Sequence, residues 1–302
     1  MVITLENDEL TVQFEKLGGA LSSIKDKDGV EYLWQGDATY WSGQAPVLFP
    51  ICGSLRNDTA HYELKDGQKA SGAIPRHGLV RKKEFELVEQ TDTSVTFAIE
   101  DTEEMFQNYP YHFRLSIRYS LTGKKLRTQY IVENLGDSEV MPYFIGGHPG
   151  FNCPLLDDEN YEDYYLEFEE EETCSVPLSY PETGMLNFLE RTSFLDHQKE
   201  LDLDYALFAQ DAVTLDELKS RTVALRSRKH EKGLRLDFQE FPNLIIWSTV
   251  NKGPFIALEP WSGLSTSLEE GDCLEDKKNV RLLPAGKKEE IGFDITIFKK
   301  IT

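Results

Sequence analysis

Hydrophobic and polar residues alternate with a period of two along most of this chain, and helical spacing is rare. In His112-Phe-Arg-Leu-Ser-Ile-Arg-Tyr-Ser-Leu121, Phe113, Leu115, Ile117 and Tyr119 fall on one face and Arg114, Ser116 and Arg118 on the other. Thr122-Gly123 follows, and then Lys125 to Glu133, so the pattern predicts a hairpin. Further hairpins are predicted from Leu21 to Trp34, around Asp26-Lys-Asp-Gly29, and from Phe85 to Ile99, around Thr91-Asp-Thr93. Later strands are predicted at Leu234 to Phe238, Leu244 to Val250, Phe255 to Leu258 and Ile291 to Phe298. Roughly fifteen or more short strands separated by turn signals point to an all-β sandwich or barrel. No linker divides residues 1–302, so one domain is expected. The chief helix candidate is Asp211 to Lys219, where Thr214-Leu-Asp-Glu217 has the form of a capping box. The acidic run Glu167 to Glu172 reads as a solvated strand edge or loop.

Composition narrows the function. Lys and Arg number 32 against 53 Asp and Glu, a formal charge of −21. Such a protein repels polyanions, which argues against nucleic acid or an anionic membrane surface as its partner. No apolar run approaches the roughly 20 residues that cross a bilayer, and the start lacks a basic segment followed by an apolar one, so a soluble, cytoplasmic protein is expected. Cys52, Cys153, Cys174 and Cys273 lie far apart without C-x-x-C spacing, which predicts reduced thiols rather than a zinc knuckle or redox pair. There is no P-loop, no dinucleotide-binding glycine motif and no H-E-x-x-H.

Three segments carry candidate chemistry. In Ile145-Gly-Gly-His-Pro-Gly-Phe-Asn152, glycines precede His148 and a proline follows it, so a strand ends abruptly and projects one imidazole from a constrained backbone. A general acid at a cleft and a loop histidine held by hydrogen bonds both fit that spacing. His77, in Ile74-Pro-Arg-His-Gly-Leu79 before the basic run Arg81-Lys-Lys83, is weaker evidence, and alone it reads as structural. In Phe255-Ile-Ala-Leu-Glu-Pro-Trp-Ser-Gly263 an apolar strand runs into Glu259. Desolvation there should raise the carboxyl pKa into the range of a general base, unless an arginine pairs with it. Trp261 reads either as an apolar wall for a sugar ring or as core. Arg56 is a possible donor to ligand hydroxyls or phosphate, and Asp211 could orient a substrate or, more simply, cap the short helix. His61, His112, His197 and His230 stand in polar or alternating surroundings and read as surface residues.

Taken in order, Phe49-Pro-Ile-Cys-Gly53, Arg76-His-Gly78, Asn108-Tyr-Pro110, Gly147-His-Pro-Gly-Phe-Asn152 and Leu258-Glu-Pro-Trp261 resemble the aldose 1-epimerase (galactose mutarotase) family, and most closely its LacX-type branch. The resemblance covers nearly the whole chain. It implies a large antiparallel β-supersandwich with an open sugar-binding cleft and neither metal nor organic cofactor. It also implies a small-molecule sugar substrate and a monomer or homodimer. By motif position Glu259 looks like the base that takes the anomeric proton and His148 like the acid that protonates the ring oxygen, with His77 assisting. Arg56 and Asp211 look like the substrate-binding arginine and aspartate, Asp204 being a close competitor for the latter role. The activity implied is interconversion of the α and β anomers of a hexose or related sugar, including a sugar phosphate. A non-catalytic carbohydrate-binding module on the same fold is the alternative. A glycoside hydrolase using Glu259 and Asp211 is a third reading.

Overall fold

The computed structural model describes residues 2–299. The strongest alternation in the sequence forms the hairpin expected of it, Phe113–Thr122 pairing antiparallel with Lys125–Asn134. Phe113, Leu115, Ile117 and Tyr119 are buried, and across the ladder so are Leu126, Thr128, Tyr130 and Val132. Arg114 and Arg118 stay on the wetter side. The register sets Tyr130 against Ile117 and Leu126 against Leu121, so one face of the pair is continuous apolar surface.

That hairpin lies within a nine-stranded antiparallel sheet. Its order runs Met185–Asp202, Tyr164–Tyr180, Thr222–Ser227, Gly233–Asp237, Lys288–Phe298, Lys125–Asn134, Phe113–Thr122, Ser94–Glu100 and Glu86–Gln90. A second sheet is ordered Val213–Leu215, Asn243–Trp247, Phe255–Trp261, Gly146–Gly147 and Val47–Leu48, with Gly150–Asn152 also pairing with Phe255–Trp261. The two sheets pack together. Phe49 lies with its ring 4.8 Å from that of Phe113, and a Cβ on Gly147 would stand only 2.9 Å from the Phe293 ring. A three-stranded sheet of Ile3–Glu6, Leu10–Phe14 and Leu21–Asp26 adds to the same buried apolar cluster, which includes residues from Ile3 to Ile297. This is the all-β supersandwich expected. Among the described residues no helix is long and apolar enough to cross a membrane.

Several local expectations are corrected. Asp211 to Lys219 is not a helix: Val213–Leu215 is a strand paired with Asn243–Trp247. Thr214 is buried in the sheet, and Glu217 turns to Ser175 and Arg191, so neither half of the capping box can close. Among the described residues the one α-helix is Glu103–Asn108, begun by Thr102, whose hydroxyl accepts the Met105 N–H at 3.2 Å. The expected hairpin closes but is short, the Asp26 N–H donating to the Val30 carbonyl at 3.1 Å and the Tyr32 N–H to the Ile24 carbonyl at 2.9 Å, while Leu21–Asp26 pairs along its length with Leu10–Phe14. The acidic run is strand, with its register broken between Glu167 and Glu172. Glu172 is fully buried there and accepts the backbone N–H groups of Lys219 and Ser220. His61, His112 and His197 are exposed as expected, but His230 is half-buried, its Nε2 2.8 Å from the buried Glu159 carboxylate. Burial of Glu159 forces that partnership, because an isolated carboxylate in the interior is costly. All four cysteines are free thiols.

Candidate active site

Gly146–Gly147 and Gly150–Asn152 each run antiparallel beside Phe255–Trp261, with Gly146 opposite Trp261 and Gly150 opposite Ala257, and His148 lies in the break between them. The same register sets His148 across from Glu259, on one face of the sheet. The approach is close because glycine flanks the histidine: a Cβ on Gly146 would stand 2.8 Å from Trp261 and 3.0 Å from the Cys52 sulfur. The His148 N–H donates to the Pro46 carbonyl at 3.0 Å, which fixes the strand end. His148 Nε2 stands 3.3 Å from Glu259 Oε2, and both side chains are almost wholly buried. His148 Nδ1, Glu259 Oε2 and Trp261 Nε1 are buried without a hydrogen-bond partner. Such atoms are costly unless a ligand completes them.

The pair forms the floor of a cavity of about 750 Å³, into which Trp261, Ile245 and Trp247 also face. Trp41 closes one side, its ring stacked on the His148 imidazole at 4.7 Å, with the edge of that imidazole toward Trp247 at 5.6 Å. Glycine again makes the room, since a Cβ on Gly150 would meet Trp41 at 2.8 Å. Burial drives the His148 pKa down to about 3, its own backbone partly opposing this and the cations Arg76 and Arg81 adding to it. Burial likewise holds Glu259 well above the usual carboxyl range, against the pull of the Arg76 guanidinium. Burial thus works against charge on both groups, favouring the protonated carboxyl and the neutral imidazole.

His77 enters from a separate turn at φ 69°, a left-handed conformation in which a side chain other than glycine is strained. Two contacts hold it there. Its N–H donates to the Gly53 carbonyl at 2.8 Å, and the Gly53 N–H donates to His77 Nδ1 at 3.3 Å. The neutral ring thus carries its proton on Nε2. Burial, followed by the neighbouring His148, keeps His77 well below its ordinary pKa. Asp211 is also left-handed, at φ 76°, and lines the cavity with its carboxylate 3.4 Å from the Arg76 guanidinium.

Of the residues singled out from sequence, Glu259, His148, His77, Asp211 and Trp261 converge on this cavity. Arg56 does not. Its guanidinium donates to the carbonyls of Ser267 and Glu270 and pairs with Asp272, bracing that loop instead. Asp204 is also elsewhere employed, accepting the Ala206 N–H as the cap of the turn Tyr205–Phe208. Two other arginines line the cavity, Arg76, beside His77 in the same short motif, and Arg81. Trp41 and Trp247 give no sequence signal, since nothing in their neighbourhood distinguishes a cavity wall from core.

Residues 1–279 match the profile of the aldose 1-epimerase family. This chain belongs to that family. Protein LacX (chromosomal) of Lactococcus lactis subsp. lactis is 62% identical over 298 residues, covering 98% of this chain and 99% of that one. The plasmid-borne LacX of the same organism is 61% identical over the same shares. Among solved structures, a galactose mutarotase related enzyme from Lactobacillus acidophilus superposes with a TM-score of 0.91 at 30% identity, over 99% of this chain and 98% of that one. A galactose mutarotase-like protein from Lactobacillus casei ATCC 334 does so at 0.87 and 29%, over 99% and 100%. The aldose 1-epimerase fold is thus shared along essentially the whole length.

Proposed function

We propose that this chain is an aldose 1-epimerase that interconverts sugar anomers by ring opening and reclosure, with Glu259 and His148 moving the protons. The observation that carries the proposal is the buried, cross-strand pairing of these two groups at the floor of an aromatic-walled cavity. Ring opening takes a proton from the anomeric hydroxyl and delivers one to the ring oxygen, so it needs a base and an acid around one hemiacetal carbon. Glu259 as carboxylate with His148 protonated, and Glu259 protonated with His148 neutral, have the same net charge and differ only in where one proton sits. The first form meets the closed ring, taking the hydroxyl proton on Glu259 and giving one from His148. The second meets the open aldehyde: Glu259 donates to its carbonyl oxygen and His148 accepts from the freed hydroxyl. After rotation about the C1–C2 bond the same transfers run backwards and close the other anomer. The pair returns to its starting state, so nothing is consumed.

His77 Nε2–H, Arg76 and Asp211 supply donors and acceptors for ring hydroxyls, while Trp41 and Trp261 offer apolar faces to the C–H side of a pyranose. Placement of the acid and base accounts for about 10²–10⁴-fold in rate, and orientation by the surrounding groups supplies the rest. Polarimetry on freshly dissolved α-glucose and α-galactose tests the reading: optical rotation should relax faster than in buffer, with no change in composition. A new reducing end from a glycoside would instead mark a hydrolase, and saturable sugar binding without faster relaxation would mark a binding module.

A further inference from the structure

The cavity rim carries a cation pair that the proton chemistry at the floor does not use. Of the basic run that follows His77, Lys83 is neutralised by Glu104 at 2.9 Å. Arg81 and Lys82 line the cavity, and among the described residues neither forms an ion pair. In a chain with 53 acidic residues against 32 basic ones, unpaired cations facing a cavity are conspicuous, because carboxylates are available almost everywhere else. The segment is also built in place rather than loose. The Gly18 N–H donates to the Lys83 carbonyl at 2.7 Å, the Phe85 N–H donates to the Lys16 carbonyl at 2.8 Å, and a Cβ on Gly18 would strike the Arg81 carbonyl at 2.9 Å. Arg81 is half-buried, and its own desolvation together with the nearby Arg76 makes its charge costly where it stands. Both guanidinium groups act on the His148 and His77 imidazoles, so the positive field extends from the rim to the floor. Glu15 and the Arg76-bound Asp211 are the opposing carboxylates on the upper cavity, and neither approaches Arg81 or Lys82 closely enough to pair.

Resting on the epimerase reading, we propose that the substrate is a phosphorylated aldose, its anomeric carbon at Glu259 and His148 and its phosphate held at the rim by Arg81 and Lys82. A guanidinium fork beside an ammonium matches a dianion with three acceptor oxygens, whereas a uronic acid carboxylate is served by one arginine alone. Desolvation of Arg81 before the ligand arrives strengthens the attraction, since the guanidinium has already given up part of its water.

Exchange NMR between anomers of glucose, galactose, their 6-phosphates and glucuronate, on the full chain, tests this. The 6-phosphates should be preferred in kcat/KM by roughly 10- to 100-fold over the free sugars, and Arg81→Gln and Lys82→Gln should each erase most of that ratio. The preference should also shrink as salt is raised. Calorimetric binding of glucose 6-phosphate and glucose to Glu259→Gln protein decides the same question without turnover. If binding favours the phosphate but the wild type accelerates no anomerisation, the epimerase reading fails and the phosphate site stands. Equal handling of free and phosphorylated sugars, a preference for glucuronate, or an Arg81→Gln loss that is the same for both would overturn the phosphate site alone.

Discussion

His148 and Glu259 are cross-strand neighbours: the register that sets Gly146 against Trp261 and Gly150 against Ala257 brings an imidazole nitrogen to 3.3 Å from a carboxylate oxygen. Paired strands on both sides of His148, with the His148 N–H on the Pro46 carbonyl and the Leu258 N–H on the Pro149 carbonyl, are a rigid way to hold an acid and a base together. Both groups are buried, and neither the carboxylate Oε2 nor the imidazole Nδ1 has a hydrogen-bond partner of its own.

Replacing Glu259 by Gln removes the base while keeping the volume, and His148→Asn removes the acid. Each should lower kcat by about 10²–10⁴-fold. Sugar affinity should change far less, so calorimetric binding beside polarimetry reads the two effects apart. Turnover at the wild-type rate in either variant would reject the role given to that residue.

Trp41 shields the imidazole it stacks on, so Trp41→Ala should admit water to His148. Its pKa should rise from about 3 toward the ordinary value near 6.5, because burial is the main cause of the depression. Proton NMR titration of the histidine ring follows this directly. An unmoved pKa would show that the remaining walls exclude water without Trp41.

Stability should depend on pH with opposite signs for the two groups. Between about 3 and 6.5 the unfolded chain binds a proton that native His148 refuses, so stability is full above that window and falls as pH drops through it. At pH 5 the loss is about 2 kcal/mol, at 1.36 kcal/mol per pH unit. His77, also depressed, adds in the same direction. For Glu259 the folded pKa is raised, so its contribution is lost as pH rises. Denaturant midpoints at several pH values should show His148→Asn losing less on the acid side and Glu259→Gln losing less on the alkaline side.

Arg56 and Arg76 should separate cleanly. Arg56→Ala releases the carbonyls of Ser267 and Glu270 and the Asp272 carboxylate, and should cost about 1–2 kcal/mol of stability with little change in KM. Arg76→Ala faces the cavity beside Asp211 and should raise KM roughly 10-fold with a small effect on the denaturant midpoint. A thermal melt and a saturation curve on each variant check both, and the reverse pattern would restore Arg56 to the site.

Period-two alternation was enough to read the Phe113–Asn134 hairpin and the β-rich architecture, because the burial of alternate side chains is a local property of a strand. The glycines around His148 and the apolar run into Glu259 were legible for the same reason: each marks an unusual backbone or an unusual desolvation within a few residues. What stood near what was not. Thr214 to Glu217 satisfied a capping pattern, yet pairing with Asn243–Trp247 drew Val213–Leu215 into a strand, a long-range choice that overrides local propensity. Arg56 and Arg76 look alike as arginines near turns, and only the packing of the 267–272 loop against one, and the cavity against the other, separates them. Trp41 and Trp247 became walls by the same kind of packing. The sequence by itself thus determined the strands and the groups able to move a proton. The tertiary structure alone decided which of those groups share a space, since that depends on contacts between segments far apart in the chain, which no short window of sequence contains.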